Sequence, residues 1–256
     1  MYRYIQIAFL TTMLVTFSFY LWSVLFIYSD WAILALIPLT VIIANSIWPL
    51  TFDPWKARWD IAVRSESTWK KWLTGRLRAI LLSCAFTLGS VTLLAWQAIR
   101  ASTAEAALML VILFVSALSY SFAQRFLLRH FLQPFARAFA TSLVTWCLAI
   151  PVTIGIAVVS WNYALIPGSM IDAGFQEVLQ IGLLQLPTRD GWLSSIFSVL
   201  FGYEAVKIWV VVQLREYPVL GWIFSLDAAV FSFVLCRTSI IIAQFVEVHV
   251  LTKDEV

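Results

Sequence analysis

The chain has 256 residues, of which 62% belong to the hydrophobic set and only 12% are charged, with a net charge of +3 and a mean hydropathy of +0.89. A soluble domain carries roughly a quarter of its residues as charges. At 12% the chain cannot cover a water-facing surface, which excludes a soluble enzyme, a nucleic-acid-binding module and a disordered tail. The fold class that follows is all-α, a polytopic integral membrane bundle of five to seven transmembrane helices.

About 20 apolar residues cross a bilayer core. In chain order the spans fall at about 5–28, 31–50, 79–99, 106–127 and 135–161, followed by apolar segments at 192–214 and 219–248. Seven spans result if both of the last two cross, and six if one is re-entrant. The first run reads as an uncleaved signal anchor, because its apolar stretch exceeds a signal-peptide core. Ser29-Asp30 forms a tight turn with Asp30 placed to cap the second helix. Ser102-Thr103-Ala104-Glu105 has the spacing of a capping box opening the fourth. Pro134 suits the first turn of the fifth, whereas Pro151 falls inside it and predicts a kink.

Basic residues orient these spans. Connection 51–78 holds Lys56, Arg58, Arg64, Lys70, Lys71, Arg76 and Arg78, and the next loop on that side holds Arg125, Arg129 and Arg137. With Arg3 and Arg215 that side has twelve basic residues, against Arg100, Arg189 and Lys253 on the other. The positive-inside rule then puts the N-terminus in the cytoplasm. The absence of any Asn-x-Ser/Thr sequon fits a bacterial inner membrane.

Connection 51–78 is the first candidate functional region. Asp53-Pro54 reads as a cap and first turn of a new helix, with Trp55 and Trp59 on one face and Lys56, Asp60 and Arg64 on another. After a break, Trp69 and Trp72 share a face beside Lys70 and Lys71. Such an amphipathic helix lies in the membrane interface against anionic headgroups, or docks a cytoplasmic protein. Arg125 and Arg129 extend the same basic face, for which lipid headgroups are the default partner, since no glycine-rich phosphate loop is present.

On the opposite side, region 167–191 contains Phe175, Val178, Leu179, Gly182, Leu183 and Leu186 at helical spacing. This is a short amphipathic helix that rests on the interface or covers a central cavity. The last two segments carry Glu204 and Lys207 near the midpoint of one, and Asp227 and Arg237 within the other. Ionisable groups at the bilayer centre must pair or face water. The expected pairings are Glu204 with Lys207, or Glu204 with Arg237 and Lys207 with Asp227. As a lock this set fixes helix register or an oligomer contact; as a pathway it carries protons, ions or a small solute.

Three isolated cysteines and two histidines supply neither a disulfide framework nor a metal site. No catalytic motif appears, so the reading leans away from an enzyme and calls for no cofactor. No internal repeat of the transporter kind is visible. Two functions stay open: a non-catalytic membrane subunit that anchors or senses for a larger complex, forming homo-oligomers or binding a cytoplasmic partner, and a small channel or transporter.

Overall fold

A computed structural model of the protein describes residues 2–63, 75–163, 174–184, 191–213 and 221–251. Among them every regular element is helical: α1 (Tyr2–Tyr28), a 3-10 segment (Asp30–Leu36), α2 (Ile37–Ala62), α3 (Arg76–Arg100), α4 (Thr103–Leu127), α5 (Gln133–Tyr163), α6 (Phe175–Leu184), α7 (Trp192–Gln213), α8 (Gly221–Val246) and a terminal π turn (Glu247–Leu251). Among the described residues six stretches are long and apolar enough to cross a membrane: Tyr2–Tyr28, Asp30–Ala62, Arg76–Arg100, Thr103–Leu127, Gln133–Ala157 and Leu226–Leu251. The protein is an integral membrane helical bundle.

At the centre stands α8, which packs against α1, α2, α3, α4 and α5. Its residues Leu235, Cys236, Ile240, Ile241, Ile242 and Ala243 are essentially inaccessible. Near one end, Ala8, Ala117, Ala136, Ala140 and Ala243 are all fully buried and share one cluster with Ile7 and Ile240. Small side chains let helices approach closely where lipid offers no hydrophobic drive to associate. Toward the other end the packing is aromatic, with Trp22, Phe26 and Phe197 in mutual ring contact. The buried Trp22 indole donates to the Ala95 carbonyl oxygen at 3.0 Å, which sets the register of α1 against α3.

Two local expectations are corrected. The first concerns Asp53-Pro54, which does not open a new helix: Pro49 and Pro54 both lie inside α2, which runs unbroken to Ala62. A proline forfeits one backbone hydrogen bond, but breaking the helix near lipid would strand several more backbone groups. Trp55 and Trp59 therefore sit on the last turns of a span, their rings 5.8 Å apart. The second concerns Asp30. Ser29, not Asp30, caps the 3-10 segment by accepting from the Trp31 N–H, and α2 begins only at Ile37. The Asp30 carboxylate instead accepts from the backbone N–H of Trp192 at 3.1 Å. The capping box at Ser102 and Glu105 forms as expected, with both reciprocal hydrogen bonds made.

The chain's two described ends lie together, because Tyr4 and Ile7 of α1 share a packing cluster with Leu251. An odd number of crossings would separate them. The helix that does not cross is α7. Its first residue meets Asp30, Phe197 meets Trp22 and Phe26, Glu204 meets Arg100, and Lys207 meets Asp227. Each partner stands at or near the same end of its own helix, so α7 runs across that end of the bundle. Its outer side carries α6, where Gly182 sits so close to Ala205 that a Cβ at position 182 would lie 2.3 Å from the Ala205 Cβ.

Candidate functional site

Because α7 lies across one end, Glu204 and Lys207 are not at the bilayer centre, and Asp227 stands in the first two turns of α8, as its seventh residue. The sequence expectation of mid-membrane charge is corrected for these three. Lys207 donates to the Asp227 carboxylate at 2.7 Å and lies 2.8 Å from the Glu204 carboxylate. Arg100, at the last residue of α3, reaches the same Glu204 oxygen at 3.3 Å. Two bases and two acids thus tie α3, α7 and α8 together. The Lys207 side chain is only 5% exposed, whereas that of Asp227 is 39% exposed, so the network has a dry side and a wet side. Arg100 was legible in the sequence as an outer charge, but nothing there linked it to Glu204.

These charges rim a cavity of about 300 Å³. Its walls descend along Leu93 and Trp96 of α3, Leu108, Met109 and Ile112 of α4, Gly155 and Ile156 of α5, and Phe231 of α8. Glu105, held by its capping box, adds a third carboxylate. Trp96 lines this vestibule, and its buried indole N–H has no hydrogen-bond partner among the described residues. The rim is polar and the floor apolar, a combination suited to a small amphipathic molecule.

Arg237 behaves differently. It lies ten residues beyond Asp227, about 15 Å along α8, near the middle of the Leu226–Leu251 span. The expected pairing of Arg237 with Glu204 is not made, since the partners of Glu204 are Lys207 and Arg100. Its half-buried guanidinium lies over the rings of Phe86 at 5.7 Å and Phe233 at 5.6 Å. Among the described residues no carboxylate comes within 4.0 Å of it. An arginine at a helix centre costs about 2.5–3.5 kcal/mol on insertion scales, which two aromatic faces offset only in part.

Compared with known proteins, the chain matches no family model, no curated protein sequence and no solved structure. The site is therefore read from its own geometry.

At the opposite end the basic residues gather. Arg78 stacks over the Trp55 ring at 3.8 Å, and Gly75 takes a left-handed φ of 70° against that same indole. Arg125 donates to the Tyr4 hydroxyl, joining the end of α4 to the start of α1. Arg129 is exposed in the turn after α4. Arg64, Trp69, Lys70, Lys71 and Trp72 lie outside the described residues. Pro151 lies inside α5, which continues as helix on both sides of it. Sequence reasoning missed a polar pocket of about 90 Å³ at this end, lined by Asp53, Gln133, Arg137 and the buried Gln244. The only signal for it was a glutamine inside the last apolar segment.

Among the described residues no group of three His, Cys, Asp or Glu side chains is placed to hold a metal ion.

Proposed function

We propose that this protein is a non-catalytic membrane subunit that anchors or senses for a larger membrane-associated assembly, of the secretion, conjugation or envelope-defence type. The observation that carries this reading is the filled axis of the bundle. Where a pore would run, α8 places Leu235, Cys236 and Ile240–Ala243 at 0–1% exposure, and its Ser232, Thr238 and Ser239 are just as inaccessible, so the centre is packed shut. Charge placement supports it as well. At the α7 end Lys207 and Arg100 are paired with Glu204 and Asp227, while Lys56, Arg58, Arg76, Arg78, Arg125 and Arg129 stand exposed at the other. In a bacterial inner membrane with this basic end cytoplasmic, those residues meet anionic headgroups and an acidic partner surface.

The vestibule favours a second reading, small-solute transport, in which Glu204, Lys207 and Asp227 form the entrance. The two separate experimentally. Native mass spectrometry of protein extracted gently from its own membranes should show a hetero-oligomer of fixed stoichiometry, and sealed proteoliposomes should show no ion or solute flux. A homo-oligomer or monomer alone, with flux that Glu204→Gln abolishes, would replace the subunit reading with the transport one.

A further inference from the structure

Among the described residues no carboxylate pairs with the Arg237 guanidinium. The acids within the six spans stand away from its depth: Asp30, Glu105 and Asp227 at one end, Asp53, Asp60 and Glu247 toward the other. A second copy of the chain, in either orientation, offers the same acid-free middle. The arginine is also accessible from the membrane side. It sits where α8 shows between α3 and α5, over Phe86 of α3 and beside Phe233, whose ring packs on Trp146 of α5 at 5.2 Å. Trp146 is 58% exposed and Leu82 of α3 is 47% exposed, so both walls of this seam face outward. Each end of the seam widens into a space walled by α3 and α5: the vestibule at Trp96 and Gly155, and a groove of about 360 Å³ at Leu82 and Ser142.

We propose that Arg237 is the docking point for a transmembrane helix of a different protein, one that lies in the α3–α5 seam and carries an Asp or Glu near its own middle. A charge at mid-depth is tolerated when it is paired across helices, and a single such pair selects its partner strongly, since an apolar helix leaves the arginine uncompensated. This inference rests on the membrane-subunit reading and specifies the partner's chemistry.

The test compares wild type, Arg237→Leu and Arg237→Lys, each expressed as the full chain in its native membrane and extracted in gentle detergent. Expected is a wild-type hetero-oligomer whose partner has an acidic residue mid-span. Arg237→Leu should lower the co-purified partner by at least about tenfold, and Arg237→Lys should keep most of it. Arg237→Glu combined with partner acid→Lys should restore assembly. The isolated Arg237→Leu chain should be at least as heat-stable as wild type, since no intrachain pair is lost. A hetero-oligomer undiminished by Arg237→Leu, or a partner whose membrane segment lacks a mid-span acid, overturns this inference alone. A wild-type protein with no foreign subunit overturns the subunit reading beneath it.

Discussion

The Asp30 carboxylate caps the first turn of a helix that starts at Trp192, a pair 162 positions apart in the chain. The preceding residue, Gly191, has a φ of 139°, and a Cβ there would lie 2.5 Å from both Asp30 carboxylate oxygens. One acidic side chain thus fixes where α7 begins and demands glycine just before it. That anchorage starts α7 along one end of the bundle, and the charges it carries meet their partners there.

Removing this cap should cost about 1 kcal/mol, as for other N-caps. Asp30→Ala should lower the melting temperature in detergent, while Asp30→Asn keeps most of the stability. Gly191→Ala should be worse than Asp30→Ala, since it adds a backbone conformation nearly exclusive to glycine to the clash with the carboxylate. In the double variant the steric part should vanish and the backbone part remain. Strict additivity would mean the two residues do not touch.

Within the charge network the order of damage follows burial. Lys207→Met leaves Glu204 and Asp227 facing each other without their shared cation and should destabilise most, by about 3 kcal/mol. Glu204→Gln should cost less, since Lys207 keeps Asp227. Arg100→Ala should cost about 0–1 kcal/mol, because its side chain is 30% exposed and solvent screens it. Thermal melts of the three variants check the ranking, and equal losses would contradict the asymmetric pairing.

The α6–α7 contact depends on Gly182. Gly182→Ala drives a methyl into Ala205 and should cost about 1–3 kcal/mol of local packing, read as faster hydrogen exchange in α6. Pairing it with Ala205→Gly should restore protection, because the two Cβ positions compete for one space.

Six crossings make a topological prediction. Single cysteines in place of Lys56, Arg129 and Glu105 should label with an impermeant maleimide from one side for the first two and from the opposite side for the third. A cysteine at Gln213, the last residue of α7, should label from the Glu105 side. Labelling with Lys56 instead would make α7 a seventh span.

The sequence by itself determined the class of this protein, because a chain with 12% charge cannot dissolve and its 18-residue-plus apolar runs must cross a bilayer. It also determined features set by neighbouring residues: the Ser102–Glu105 capping box and the clustering of Lys and Arg in the stretches 56–78 and 125–137. Only the tertiary structure decided the rest. Asp53-Pro54 read as a helix start, yet α2 continues through it to Ala62. Segment 192–213 has the length of a span, yet its partners Asp30, Trp22, Arg100 and Asp227 lie toward one end of the bundle. Hydropathy measures whether a segment tolerates lipid and is blind to its direction. The same blindness grouped Glu204, Lys207, Asp227 and Arg237 as one intramembrane set. In three dimensions three of them meet at the rim, where Arg100 balances the second acid, and the fourth stands at mid-depth against two phenylalanines. Which charge is satisfied depends on where separate helices meet, and that is set by packing among residues far apart in the chain.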